Sequence, residues 1–178
     1  GNNTTTAYEV YAQQWADLAM TDGSYGVALM NDSKYGWDKP ADNVMRLTLL
    51  HTPSTRGGYA YQSRQDFGHH VFTYSISGHE GDYRKGRVVR KAEVLNQPLQ
   101  AFVVQKHKGV YGRSFSFVES LDENVALRAL KQAEDSDAYV VRFYETSGTD
   151  ARRTAVRFAS DIAEARELNG NEEEIGTA

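Results

Sequence analysis

The 178-residue sequence contains no cysteine, only three prolines and no long hydrophobic run. The absence of cysteine excludes disulfides, thiolate metal sites and cysteine nucleophiles, and it leaves the redox compartment and the localisation open. No apolar run approaches the roughly 20 residues that span a bilayer, and the N-terminal segment lacks the layout of a signal peptide. The formal charge of −4 disfavours a nucleic-acid binder, since such proteins carry basic surfaces. We therefore expect a globular protein with neither nucleic acid nor a membrane as its partner.

Short runs of β-branched and aromatic residues, separated by Gly, Asn, Asp and Ser, dominate the sequence. Such runs predict β-strands, and their regular spacing predicts an all-β fold, an antiparallel β-sandwich. Alternation is clearest in Val71–Ile76 and Tyr139–Thr146, where every second residue shares a face. The other predicted strands are Val27–Met30, Val44–Leu50, Arg87–Leu95, Leu99–Gln105 and Phe115–Val118.

Three stretches also have a helix-forming composition. Ala7–Met20 is a candidate helix, although its apolar residues form no clean stripe at helical spacing. Val125–Ala133 and Asp161–Leu168 are ambiguous, and the alternation of their residues favours strands for both. Asn169-Gly170, which follows the last of them, offers a type I′ hairpin turn.

The sequence Asn96-Gln97-Pro98 is the best candidate for a domain boundary. Proline lacks the amide hydrogen and has a fixed φ, so it interrupts a continuous strand ladder. The boundary gives segments 1–98 and 99–178. The basic run Arg84–Lys91 just before it is interleaved with valine and alanine. We interpret this run as the solvent face of a strand and its preceding turn, with a polyanion-binding patch as the alternative.

The histidines and carboxylates predict no catalytic residue and no metal ligand in this chain. His69, His70 and His79 lie close together in sequence, but neighbouring residues of a strand point to opposite faces, so His69 and His70 cannot share a site. No HExxH motif occurs, and exposed structural histidines are favoured over a zinc site. The 24 acidic residues single out no carboxylate pair, and the sequence has no GxSxG, P-loop or dinucleotide fingerprint.

The segment Asn31–Asp38 is the most informative for function, because it gathers acidic, basic and aromatic residues between two predicted strands. An aromatic ring packs on the C–H face of a sugar, while polar groups bind its hydroxyls. The alternative is a turn whose aromatic side chains fold back onto the sheet edge. The candidate substrate-binding residues are Lys34, Tyr35, Trp37 and Asp38.

Several further segments occur in a characteristic order: Gln14–Asp17, Tyr25–Asp38, Arg46–Leu50, Gly68–Tyr74, Ala92–Leu99, Ala129–Glu134 and Val141–Gly148. In this order they resemble the C-terminal β region of the glycoside hydrolase family 38 α-mannosidases. The resemblance covers most of the chain, from about Tyr8 to Glu174. It departs at Pro53–Tyr61, where the family often has a Pro-Asp-Pro stretch, so we expect this connection to be built differently.

The resemblance implies a chain that is inactive alone. Family members are large enzymes that hydrolyse α-mannosides with retention of configuration, and their zinc ligands and nucleophilic Asp lie upstream of the region that this chain resembles. Residues 1–98 would be the end of a large β-sandwich and residues 99–178 a smaller C-terminal β-sandwich. The chain would hold no cofactor, with zinc only in the full-length enzyme. Its partners would be the catalytic part of its own full-length chain and a mannose-containing glycan.

The resemblance also bears on the loop. In some family members a loop from the β region reaches the sugar site, and Asn31–Asp38 holds the positions that could match. Two other functions are considered beside this one. An autonomous carbohydrate-binding module would present an exposed aromatic platform, such as Tyr35, Trp37 and Tyr59. A structural or oligomerisation module would bury a large apolar surface of above about 1,000 Å² on assembly.

Overall fold

The computed structural model describes residues 7–52, 67–150 and 154–177. These residues contain twelve β-strands and one α-helix, and all strand pairs are antiparallel. The predicted all-β antiparallel fold is therefore confirmed. The chain divides into two units, Gly1–Phe102 (unit 1) and Val103–Ala178 (unit 2). The assignment of 1–98 and 99–178 to two different sandwiches stays a prediction.

Unit 1 contains two three-stranded sheets. The first has the order β1-β4-β5, with strands Ala7–Tyr11, Gly36–Ala41 and Val44–Leu47. The second has the order β2-β3-β6, with strands Trp15–Ala19, Tyr25–Asn31 and Tyr74–Glu80. Ala28 and Met30 alternate along the central strand of the second sheet, and both are buried. One face of that strand therefore forms part of the core.

The helix α1 (Val88–Asn96) occupies the stretch Arg87–Leu95 that the sequence predicted to be a strand, so this prediction is wrong. Val88 and Ala92 lie four residues apart on one helical face, and both are buried where α1 packs against β3 and β2. Valines favour strands, but burying this face on the sheet outweighs local propensity. The basic run Arg84–Lys91 accordingly lies on a turn and a helix rather than on a strand.

Two other secondary-structure predictions are wrong, one for Ala7–Met20 and one for Leu99–Gln105. Ala7–Met20 is not a helix but contains β1 and β2, and Gln14 between them has a φ of 60°. Leu99–Gln105 has the composition of a strand but pairs with no described segment, so it forms none. A strand needs hydrogen bonds to a neighbour, which composition alone does not provide.

Five other predicted strands differ from the observed strands mainly at their ends. Val27–Met30 lies within β3, and Tyr139–Thr146 extends one residue past β9 (Tyr139–Glu145). Three predictions overlap a strand only in part, because β5 ends at Leu47, β6 begins at Tyr74 and β7 (Val118–Ser120) begins at Val118.

Unit 2 contains three antiparallel strand pairs, β7–β10, β8–β9 and β11–β12. Its strands are Val118–Ser120, Val125–Gln132, Tyr139–Glu145, Val156–Phe158, Arg166–Leu168 and Glu174–Thr177. The strand predicted for Val125–Ala133 is confirmed, whereas only the end of Asp161–Leu168 is a strand. The β11–β12 turn is longer than a type I′ turn. Within it Glu172, rather than Asn169 or Gly170, has a positive φ, of 67°.

The buried hydrophobic side chains are distributed unequally between the units. In unit 1 they are Ala28, Met30, Trp37, Val88 and Ala92, whereas among the described residues of unit 2 Val140 alone is in this class. Unit 2 therefore has a thin core. Within the described ranges, α1 is nine residues long and no helix is long and apolar enough to span a membrane.

Candidate functional site

The loop between β3 and β4 is held at its start by Asn31, which is buried at the end of β3. Its Oδ1 accepts hydrogen bonds from the backbone N–H groups of Ser33 at 3.1 Å and Lys34 at 2.5 Å. Its carbonyl oxygen accepts one from Nδ2 of Asn96 in α1 at 3.0 Å. Nδ2 of Asn31 has no partner in the described part of the chain. An asparagine that binds the following backbone in this way fixes the turn.

Asp32 connects the same loop to the segment before β6. Its carboxylate accepts hydrogen bonds from the hydroxyl of Ser33 at 2.7 Å and from the backbone N–H of Thr73 at 3.0 Å. These two bonds, that of Ser33 first, lower the pKa of the carboxyl, so Asp32 is ionised at neutral pH. Asn31 and Asp32 together fix the base of the loop and leave its tip to Lys34 and Tyr35.

Lys34 and Tyr35 are the two predicted site residues at this tip. The Nζ atom of Lys34 lies 4.9 Å from the centroid of the Phe72 ring, within the range of a cation–π contact. The side chain of Tyr35 is 59% exposed, while its carbonyl oxygen accepts a hydrogen bond from Ala12 N–H at 3.1 Å. The backbone of Tyr35 is thus fixed and its phenol ring is accessible.

Trp37 lies in the core of unit 1 rather than at the loop tip. It is 3% exposed, and its Nε1 donates a hydrogen bond to the carbonyl oxygen of Ala12 at 3.0 Å. Trp37 and Asp38 are successive residues of β4, so their side chains point to opposite faces. The arrangement matches the alternative in which the tryptophan folds back onto the sheet. Direct contact of Trp37 with a sugar stays a prediction.

Asp38 is paired with Arg46, its neighbour across the β4–β5 ladder. Oδ1 of Asp38 lies 2.6 Å from Nε of Arg46, and Oδ2 lies 2.7 Å from Nη2. This bidentate pair lowers the pKa of the Asp38 carboxyl and raises the pKa of Arg46. Asp38 is therefore an ionised group whose orientation is fixed. A ligand that hydrogen-bonds to its carboxylate would do so beside Arg46, which already binds both carboxylate oxygens.

A buried ionisable pair lies elsewhere in unit 1. Nε2 of His79 in β6 is 2.7 Å from Oδ1 of Asp17 in β2, and the two side chains are 4% and 7% exposed. A Cβ atom added at Gly26 or Gly86 would lie less than 3.0 Å from the imidazole ring. The ring therefore fills the space that these glycines leave. Because the pair is enclosed by protein, we assign it to packing rather than to catalysis.

The described residues do not fit the zinc site that the family resemblance implies for the full-length enzyme. Within ranges 7–52, 67–150 and 154–177, no group of three His, Asp or Glu side chains is placed to hold a metal ion. His69 and His70 are exposed, and His79 is bound to Asp17. Asp66, Tyr59 and the whole connection Pro53–Tyr61 lie outside the described residues.

The carboxylate of Glu145 in unit 2 caps the loop that follows β9. It accepts hydrogen bonds from the hydroxyl of Ser147 and from the backbone N–H groups of Ser147 and Gly148, each of the latter at 2.6 Å. The Ser147 hydroxyl contributes most to lowering the pKa of Glu145. A carboxylate with these bonds is occupied in holding a turn, as its place at a strand end predicts.

The sequence analysis missed three residues on which the loop depends. Asn31 and Asn96 meet through a hydrogen bond across 65 positions, and Arg46 meets Asp38 across a strand pair. The position of Asn31 between a strand and a polar turn is the one local signal that pointed to its role. The contacts of the other two depend on pairing and packing that no local pattern records.

Two sequence models of known domains match the chain. The model described as "Glycosyl hydrolases family 38 C-terminal domain" matches residues 2–56. The model described as "Glycosyl hydrolases family 38 C-terminal beta sandwich domain" matches residues 124–178. The chain belongs to the C-terminal region of glycosyl hydrolase family 38. The family resemblance read from the sequence is thereby confirmed.

Curated relatives of this family 38 chain include three α-mannosidases. Alpha-mannosidase 2C1 of Mus musculus is 34% identical over 154 residues, covering 83% of this chain and 14% of the relative. Alpha-mannosidase G of Dictyostelium discoideum is 30% identical over 158 residues, covering 87% of this chain and 13% of the relative. Alpha-mannosidase of Saccharomyces cerevisiae is 32% identical over 152 residues, covering 84% of this chain and 13% of the relative. The chain thus spans 13–14% of the length of these relatives.

A solved family 38 structure shares the fold. The glycosyl hydrolase family 38 protein from Enterococcus faecalis matches with a TM-score of 0.75 and 19% sequence identity, over 96% of this chain and 20% of that chain. This likeness concerns the fold alone. It confirms the β-sandwich class for the family 38 chain.

Proposed function

We propose that this chain is the non-catalytic C-terminal β region of a longer α-mannosidase. In this proposal it supports the catalytic part and presents the loop tip, Lys34 and Tyr35, to the cleft that binds a mannose-containing glycan. The catalytic residues and the zinc ion belong to the part of the enzyme outside this chain. The long enzyme would be a retaining hydrolase of α-mannosides, as the family resemblance implies.

The observation that carries the proposal is the construction of the loop. Asn31 and Asp32 fix its base, and Trp37 anchors the start of β4 in the core through its bond to Ala12. The phenol of Tyr35 and the ammonium of Lys34 remain at the tip. A ring and a donor held on a rigid base suit a sugar, whose C–H face and hydroxyls need fixed partners.

The relatives and the surface of unit 2 favour a supporting role over an independent one. The curated relatives are about seven times longer than the matched region, since it makes up 13–14% of their length. Unit 2 has a thin core and many exposed apolar side chains. Such a surface is typical of a region that packs against other protein.

The loop is tested by Tyr35→Ala in the longer α-mannosidase. We expect KM for an α-mannoside to rise about fivefold to tenfold, which corresponds to about 1–1.4 kcal/mol of lost binding, with kcat little changed. Tyr139→Ala, which truncates an exposed tyrosine of unit 2, is the matched control. Unaltered KM in the Tyr35→Ala enzyme would contradict the contact of the loop with substrate, provided that both variants melt at the parent temperature.

The supporting role is separated from an autonomous carbohydrate-binding module by two measurements on the 178-residue chain. Incubation with an activated α-mannoside, with and without zinc, should give no turnover above buffer, and turnover would refute a non-catalytic chain. Titration with mannose oligomers should leave the tryptophan fluorescence unchanged. A saturable change would favour the binding module, since Trp37 follows Tyr35 of the loop tip by two residues.

A further inference from the structure

Residues 103–117 of unit 2, here called the docking segment, form neither helix nor strand and lead into β7. A Cβ atom added at Gly109 would meet nothing within 4 Å, so the backbone there lies in open space. The segment is attached at its end, where the carbonyl oxygen of Phe117 accepts a hydrogen bond from Ala159 N–H at 3.0 Å. Its backbone groups are therefore available to a partner over most of its length.

The docking segment is apolar, in contrast to the polar composition of flexible linkers. Its large hydrophobic side chains are all exposed, and they are Val103, Val104, Val110, Tyr111, Phe115 and Phe117. Three of them form an exposed aromatic cluster, with ring centroids 4.1 Å apart for the tilted pair Tyr111 and Phe115 and 4.8 Å apart for the edge-to-face pair Phe115 and Phe117. Segments that remain disordered are poor in aromatic and β-branched residues, so this composition indicates a surface that is buried on assembly.

The charged side chains of the docking segment are all basic. It contains Lys106, Lys108 and Arg113 and no Asp or Glu, although the whole chain has a formal charge of −4. None of these three side chains forms an ion pair with the described residues. A complementary surface would be apolar along its floor and carry carboxylates along its rim.

We propose that the docking segment binds such an apolar, acid-rimmed groove in the part of the longer α-mannosidase outside this chain. The proposal rests on the proposed function for the existence of that part. The relatives contain roughly six times as much sequence outside the matched region as within it, which provides the surface. A partner in the same polypeptide is also present at a high effective concentration, which favours it over a second copy.

Trypsin tests the proposal, because Lys106, Lys108 and Arg113 place three cleavable bonds in an exposed segment without helix or strand. In the 178-residue chain these bonds should be cut rapidly. In the longer α-mannosidase we expect cleavage at least tenfold slower, followed bond by bond by mass spectrometry. Equal rates in the two proteins would overturn the proposal. Protection of the 178-residue chain that increases with its concentration would also overturn it, in favour of self-association.

Variants of the longer enzyme locate the contact. The double variant Val110→Asp/Phe115→Asp should restore rapid cleavage at Lys106 and Lys108, since it places two charges in the apolar groove. Tyr139→Asp is the control, because it puts a carboxylate on an exposed aromatic position of β9, outside the docking segment. Equal acceleration by Tyr139→Asp would overturn the assignment of the contact to the docking segment.

Activity measured on the same preparation separates this proposal from the proposed function. A longer protein that protects the docking segment but hydrolyses no α-mannoside would refute the proposed function and leave the docking intact. An active α-mannosidase in which the three bonds are cut as fast as in the 178-residue chain would refute the docking alone.

Discussion

Replacing His79 by alanine removes one partner of the buried pair in unit 1. Asp17 would keep a carboxylate that is 7% exposed and would lose the imidazole nitrogen 2.7 Å away. Leaving one partner of a buried hydrogen-bonded pair unsatisfied costs about 1–3 kcal/mol, and the cavity left by the missing ring adds about 2 kcal/mol, which gives a total of about 3–5 kcal/mol. The space between Gly26 and Gly86 would also be empty. With domain stabilities of about 5–15 kcal/mol, we expect the variant to lose a large part of the stability of unit 1.

Urea unfolding followed by tryptophan fluorescence measures this loss. Both tryptophans of the chain, Trp15 and Trp37, lie in unit 1, so the signal reports that unit. For an m value of about 2 kcal/mol/M, a loss of 3–5 kcal/mol lowers the urea midpoint by roughly 2 M. His69→Ala, which removes an exposed histidine, should leave the midpoint unchanged.

A second, milder variant of the same pair keeps the prediction testable if the His79→Ala chain does not fold. Asp17→Asn keeps an oxygen and an NH2 group within hydrogen-bonding reach of His79 and leaves no cavity, so its loss of stability should be smaller than that of His79→Ala. A loss of less than about 1 kcal/mol in His79→Ala would refute the reasoning, because an unsatisfied buried carboxyl group next to a cavity costs more than this.

Two further variants test the anchoring of the loop and the cap of β9. Trp37→Phe should lose about 1 kcal/mol through the missing bond to the Ala12 carbonyl, with further loss from the smaller ring, measured by thermal melting in circular dichroism. Glu145→Gln should destabilise unit 2 at pH 7. Since hydrogen bonds from Ser147 hold the pKa of Glu145 below its ordinary value of 4.5, the ionised carboxylate stabilises the fold above that pH. The difference between Glu145→Gln and the parent should shrink as the pH falls below 4.5.

For each of these two variants, one result would contradict the predicted loss of stability. Trp37→Phe with the parent melting temperature would mean that the indole nitrogen contributes nothing to unit 1. A Glu145→Gln difference that stayed constant between pH 7 and pH 3 would mean that the ionised carboxylate is not what holds the loop. Asp135→Asn, which changes an exposed carboxylate of unit 2 in the same way, is the control for net charge.

The sequence by itself determined the strand character of the chain and the family. In Tyr139–Glu145 and Val125–Gln132 the side chains alternate, and this period is imposed by the geometry of an extended backbone. The order of short segments such as Tyr25–Asp38 identified the C-terminal region of family 38, which two domain models match. It also directed attention to the loop that the structure holds through Asn31.

Tertiary structure alone decided the helix α1 and the contacts of the site residues. Val88 and Ala92 lie in a valine-rich stretch whose composition favours a strand, and they became helical because a sheet face was available for them to cover. Trp37 was equally suited by sequence to a sugar or to a core, and its burial depends on the neighbouring strands. Asp17 and His79 meet across 62 positions. Local propensity acts through the few residues beside a position, whereas burial and pairing depend on which distant segments the fold brings together.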